Sequence, residues 1–237
     1  MTEQLPVFAT NRIAPPMTVR EEVRRLFRVN REALAVPPSA AIATAYVNPA
    51  GFLLLADELE KLPRIRILLG ADPVPDPLLP VDADAALQKR LYAALTDHVR
   101  WLKAERDALG FELKATQSAQ RLVAWLRAAD ERGEPVVEIR RFTGGFLHGK
   151  AFISHHPTHP AYLAGSSNLT YAGLTRNAEL NVGASGQHGS TPQVIEWFEE
   201  CWADSEAFDL AGLYEPLWAE HTPWSVFLRM LLARYGE

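Results

Sequence analysis

Three times between His148 and Asn181 the chain spaces polar side chains two residues apart: His148 with Lys150, Ser166 with Asn168, and Asn177 with Glu179 and Asn181. On an extended strand, residues two apart project from one face. The segment Leu147 to Ser154 therefore reads as a strand that presents an imidazole and an ammonium on the same side, a seat for phosphate. Taken singly, His-x-Lys also fits a half-exposed strand, and Gly165-Ser166-Ser167-Asn168 has the composition of a turn. A purely structural sheet has little reason to place so many polar residues on one face, because polar groups buried without partners are costly. The three sets in order point to one cleft and to phosphodiester chemistry.

The remaining pattern is that of an α/β chain with a mixed β-sheet flanked by helices. Thr18-Val19-Arg20-Glu21 has the form of a capping box, and Val23, Leu26, Phe27 and Leu34 follow at helical spacing, predicting a first helix that ends before Pro37-Pro38. Ala40 to Val47 reads as a buried strand. Asn48-Pro49 reads as a helix cap, Phe52 to Leu62 as a helix and Arg64 to Leu69 as a second strand, together a parallel unit with a crossover helix. The proline-rich stretch Asp72 to Pro80 precedes a helical insertion, about 83–116, in which Leu87, Leu91, Leu95, Leu102 and Leu109 recur at mostly helical intervals. A helix around Ala119 to Ala129, a strand Val136 to Arg140, and strands at Ala161 to Ala164 and Leu180 to Ala184 are expected. Helices follow at Gln193 to Trp202 and at Ser225 to Tyr235, within a C-terminal helical extension of about 209–237. All 237 residues are read as one domain.

Composition narrows the function. A single cysteine, Cys201, excludes an internal disulfide and fits a reducing compartment. No stretch approaches the roughly 20 apolar residues that span a bilayer, so the chain is expected to be soluble and cytoplasmic, with no membrane partner. A net charge of −5 excludes a surface that is basic throughout but leaves room for a local basic cleft that holds a polyanion. Arg140 and Arg141, just before the motif, are candidates to meet nucleic acid, whereas Arg24, Arg25, Arg28 and Arg31 read as a solvated helix face. His155, His156 and His159 lie in a Pro-containing connection and read as an exposed loop, so no metal and no cofactor is assigned.

The stretch from His148 to Asn181 resembles the HKD motif of the phospholipase D superfamily. Its single copy is similar to the bacterial nucleases of that superfamily and to the phospholipase D-like domains joined to SNF2-type helicases. The resemblance implies a phospholipase D-like half with His148, Lys150, Asn168 and Glu179 as catalytic residues. It further implies that His148, oriented by Glu179, attacks phosphorus to give a phosphohistidine. A second His148 from a homodimer partner would act as general acid and then base, while Lys150, Asn168 and Ser166 hold the phosphate oxygens. The resemblance also implies chemistry that needs no metal and a nucleic-acid substrate, with DNA favoured over RNA, and makes an SNF2-type helicase a candidate partner. In one respect the sequence departs from the pattern: the motif's aspartate is replaced by His155, a position thought to serve structure more than chemistry. Two rival readings stand beside the nuclease. One is a catalytically silent phosphate- or nucleic-acid-binding module of a helicase or ATPase system. The other is a lipid phosphodiesterase, which would call for an exposed apolar rim or an amphipathic membrane helix.

Overall fold

The computed structural model describes residues 5–12, 18–70, 113–145, 147–187 and 189–215, and positions 224, 227 and 231 beyond them. Among the described residues eight strands form one sheet: β1 (Phe8–Thr10), β2 (Ser39–Thr44), β3 (Ile65–Leu69), β4 (Val137–Phe142), β5 (Lys150–His155), β6 (Ala161–Gly165), β7 (Leu180–Ser185) and β8 (Ser205–Ala207), in the order β1-β7-β6-β5-β2-β3-β4-β8. Strands β2, β3 and β4 run parallel, and every other neighbouring pair is antiparallel. This is the mixed, helix-flanked α/β sheet that the sequence predicts.

Local chemistry explains the first elements. Helix α1 (Val19–Ala33) starts where the Thr18 hydroxyl accepts the N–H of Glu21, and it buries Val19, Val23, Leu26 and Phe27 along one stripe. Helix α2 (Pro49–Leu59) starts at Asn48, whose side-chain oxygen accepts the N–H of Gly51 at 2.7 Å, with proline in the first turn. Between them β2, Ser-Ala-Ala-Ile-Ala-Thr, is buried from Ala40 to Thr44 because it lies mid-sheet with layers on both faces. Helices α3 (Leu113–Leu126), α4 (Tyr171–Thr175) and α6 (Leu210–Tyr214) join α1 and α2 on one face, around Phe52, Ile67, Phe152 and Leu163. Helix α5 (Ser190–Ala203) covers the other, setting Phe198 and Trp202 against Ala41, Ala43, Leu68 and Ile153.

Several boundaries differ from expectation for identifiable reasons. Helix α3 begins six residues earlier than Ala119 and ends at Leu126, because Ala128 then gives its carbonyl to Val136 and the chain closes a tight turn at Gly133. Strand β4 extends to Phe142, where the unanticipated β8 pairs with it. Strand β5 starts at Lys150, so His148 precedes the strand and does not alternate with Lys150 along it. The β2–β5 ladder stops at Ala43 and Ala151 because the N–H of Ala45 is taken by the Asn168 side chain. Most of the expected insertion, about 83–116, and most of the extension, about 209–237, lie outside the described residues. Among the described residues no helix is long and apolar enough to cross a membrane.

Candidate active site

Four strand termini meet at one end of the sheet. Strand β2 ends at Thr44, β5 begins at Lys150, β6 ends at Gly165 and β7 begins at Leu180, and the register sets Lys150 beside Gly165 and Gly165 beside Asn181. The three polar segments, before β5, after β6 and before β7, therefore share the end at which the parallel strands finish. Open α/β sheets bind ligands at such carboxyl ends. The gap between Lys150 and Asn181 requires glycine, since a Cβ at Gly165 would lie 2.1 Å from the carbonyl oxygen of Leu180.

Each candidate residue has a distinct setting. His148 is exposed, in the irregular segment 147–149 just ahead of β5. Lys150 is buried, at 3% exposure, and burial pushes its pKa below the ordinary lysine value while Glu179 pulls the other way. Glu179 is buried too. One carboxylate oxygen accepts from the Asn177 amide at 3.1 Å and the other from the Ser166 hydroxyl. The Ser166 oxygen in turn accepts the N–H of Leu180 at 3.1 Å. Because its one proton goes to Glu179, Ser166 here fixes the carboxylate and is not a ready donor to a phosphate. The side-chain oxygen of Asn168 accepts the N–H of Ala45 at 3.1 Å and faces the Thr44 hydroxyl at 3.3 Å, which leaves its NH2 as the end that can meet a ligand. Arg140 reaches Glu138 at 3.0 Å and lies over Trp202, and Arg141 reaches Glu206 at 2.7 Å. Both arginines thus sit on β4 with carboxylate partners of their own.

Sequence reasoning did not find the residues that hold this arrangement. Thr44, fully buried, accepts the N–H of Leu169 at 3.0 Å and lies 2.7 Å from the carbonyl of Tyr46, tying the end of β2 to the Asn168 loop. Its signal is a threonine closing an apolar strand at the carboxyl end of a parallel unit. Thr10 donates to the carbonyl of Glu179, and the Asn11 amide donates to the carbonyls of Gly173 and Asn177 at 3.0 and 3.1 Å. No local pattern marks these two, which act across more than 160 positions.

His155 occupies the opposite end of β5, beside Ser39, five residues and roughly 17 Å from Lys150 at strand rise. Its neighbour Arg66 is already paired through both terminal nitrogens with Glu199 of α5. Burial foremost, and the charge of Arg66 next, push the His155 pKa down, with Glu199 opposing.

Among the described residues no group of three His, Cys, Asp or Glu side chains is placed to hold a metal ion.

No family model matches the chain, and no curated protein matches it. Solved structures similar to it include NucT from Helicobacter pylori, at 10% identity over 85% of this chain and 97% of that one, with a TM-score of 0.45. Phosphatidylserine synthase from Haemophilus influenzae Rd KW20 matches at 16% identity over 98% of this chain and 45% of that one, with a TM-score of 0.45. Nuc from Salmonella typhimurium, described as a phospholipase D family member, matches at 12% identity over 85% and 95% of the two chains, with a TM-score of 0.46.

Proposed function

We propose that this chain is a phosphodiesterase of the phospholipase D-like type that cleaves nucleic acid, in a site completed by a second copy of itself. The observation that carries the reading is the pairing state of Lys150. Its ammonium is buried beside Glu179, yet both oxygens of that carboxylate are already engaged by Ser166 and Asn177. A buried cation whose nearby carboxylate is otherwise engaged favours an incoming anion, and the exposed His148 stands two positions away. The NH2 of Asn168 adds a second donor at the same end of the sheet.

The chemistry follows from those atoms. An imidazole nitrogen of His148 forms a bond to phosphorus as the bond to the leaving oxygen breaks, and the leaving oxygen takes a proton from the second copy's His148. That imidazole then takes a proton from water. The hydroxide forms the new P–O bond, the N–P bond breaks, and His148 is restored with a phosphomonoester as product. Lys150 and Asn168 stabilise charge on the non-bridging oxygens throughout. An exposed apolar strip on β7, Leu180 at 57% and Val182 at 52%, flanks Glu179 and suits burial against a second copy.

That same strip favours a second reading, lipid phosphodiesterase, because it is an exposed apolar surface on the strand that follows Glu179. One assay separates them: purified protein is incubated in EDTA with labelled single- and double-stranded DNA and RNA and, in parallel, with phospholipid vesicles, beside a His148→Ala control. Cleavage of a polynucleotide lost in the control supports the nuclease. Headgroup release with no polynucleotide cleavage replaces it with the lipid reading, and binding without any turnover leaves a silent phosphate-binding module.

A further inference from the structure

Asn181 is 1% exposed, and among the described residues its side-chain Oδ1 has no hydrogen-bond partner, while its Nδ2 donates to the fully buried Ser167 hydroxyl at 2.7 Å. We infer that Asn181 is a positioning residue for Lys150: its Oδ1 accepts one N–H of the ammonium and fixes it while another N–H donates to the substrate phosphate. The inference rests on the phosphodiesterase reading above and extends that site by one residue.

The register is the first argument. Lys150 pairs with Gly165 and Gly165 with Asn181, so the three stand in one row across β5, β6 and β7 and share one face of the sheet, the face on which Phe152 and Leu163 enter the core. Gly165 puts no side chain between its neighbours. A Cβ there would lie 2.8 Å from the Asn181 Oδ1, so that oxygen sits over Gly165, in the gap towards Lys150. Two strand spacings set the backbones of Lys150 and Asn181 roughly 10 Å apart, and the oxygen already bridges part of that gap. A four-carbon lysine stem covers the rest. The second argument is the unmet demand on both sides. A buried amide oxygen without a donor is unfavourable, and so is a buried ammonium short of acceptors. The Glu179 oxygens are taken by Ser166 and Asn177, whereas the Asn181 oxygen is open. The third argument is chemical type. A fixed acceptor removes the rotamer freedom of a lysine before the phosphate arrives. A carboxylate at position 181 would cancel the charge that it held; an amide holds the ammonium and leaves its full charge to the phosphate.

The test uses the full chain carrying His148→Ala, so that bound substrate is not consumed. Two quantities are measured at fixed salt: affinity for a dinucleotide, and the NMR signal of the Lys150 ammonium, whose protons exchange slowly with water only while they are held in hydrogen bonds. Asn181→Leu, similar in shape but without the acceptor, should weaken the dinucleotide at least roughly fivefold, about the effect of one hydrogen bond, and abolish the slowly exchanging signal. On a Lys150→Met background the same substitution should change affinity by less than about twofold, because the two residues act as one. If the leucine variant does not fold, Asn181→Asp keeps the shape and the acceptor; it should retain the ammonium signal yet weaken the dinucleotide, since the held cation is then neutralised. Unchanged affinity and an unchanged ammonium signal in Asn181→Leu, whatever its melting temperature, would make Asn181 a structural tie to Ser167 and overturn the inference. An equal loss on both backgrounds would overturn it too, because Asn181 would then act without Lys150, and so would full affinity in Asn181→Asp. Each of these failures leaves the phosphate seat standing. No dinucleotide binding above the Lys150→Met background would sink the seat and the inference together.

Discussion

The hydroxyl of Thr10 donates to the carbonyl oxygen of Glu179 at 2.7 Å, in a buried contact between residues 169 positions apart. With Asn11, which donates to Gly173 and Asn177 and accepts the N–H of Val19, it clamps the short connection that delivers Glu179 to the site. Asn11→Ala removes these part-exposed bonds and should cost about 1–2 kcal/mol of stability. Turnover should fall several-fold with little change in KM, because the clamp sets the carboxylate and not the phosphate donors. Thermal melts and steady-state kinetics check this; a rise in KM at constant kcat would place the clamp elsewhere in the reaction.

These contacts also mark what the sequence could and could not disclose. Capping residues Thr18 and Asn48, the apolar β2 and the β2-α2-β3 crossover are local patterns, and they are legible because each rests on neighbouring residues. The three polar sets are legible for the same reason, and the register gathers them at one end of the sheet. The edge strands β1 and β8 have three residues each and owe their existence to partners far away in the chain, so no periodicity reveals them. Ser166 shows a finer limit: the resemblance implies a phosphate donor there, but its proton goes to a carboxylate supplied by a different strand end.

Lys150→Met keeps much of the side-chain volume while removing a charge whose burial is unfavourable. Folding should survive, with an unchanged or higher melting temperature, because replacing a buried charge by an apolar group of similar size is often neutral or stabilising. Affinity for a phosphodiester should fall at least tenfold. Calorimetry with a non-hydrolysable dinucleotide reads the loss, and a strongly destabilised variant that still binds would mark Lys150 as structural.

His155 gives a pH signature separate from the chemistry. Its folded-state pKa is depressed below 6.5, so the unfolded chain binds the proton more readily. The contribution to stability is complete above about pH 6.5 and is lost as pH falls towards the folded value. His155→Gln should flatten the melting temperature in that window and leave turnover unchanged, since the position lies at the far end of β5. His155→Asp should likewise leave turnover within about twofold, with Arg66 already paired to Glu199. Loss of activity in either variant would place position 155 within the catalytic arrangement.

Cleavage is expected to survive chelation. The candidate donor set contains one carboxylate, Glu179, and both of its oxygens already accept hydrogen bonds. A divalent cation would have to displace Ser166 and Asn177 beside the Lys150 ammonium, an electrostatically poor exchange. Activity abolished by EDTA and restored by magnesium would rule out the phosphohistidine route proposed for this chain.

The final prediction concerns assembly. The double displacement needs one imidazole to attack phosphorus and another to protonate the leaving oxygen from the far side, and a single His148 cannot occupy both places. A two-fold axis beside the site supplies the second without new sequence, and it would also gather two copies of Lys150 and Asn168 around one phosphate in a protein of net charge −5. Leu180 and Val182 are the side chains that such an axis would cover. Val182→Lys should therefore leave the melting temperature of the subunit nearly unchanged, because the residue is already half exposed, yet shift the molecule to a monomer by sedimentation and abolish turnover. Mixing wild-type chains with His148→Ala chains should produce heterodimers with one imidazole per site and little or no turnover. Full activity in a Val182→Lys monomer, or heterodimers that turn over at half the wild-type rate or more, would mean that the second imidazole is not needed or comes from another protein.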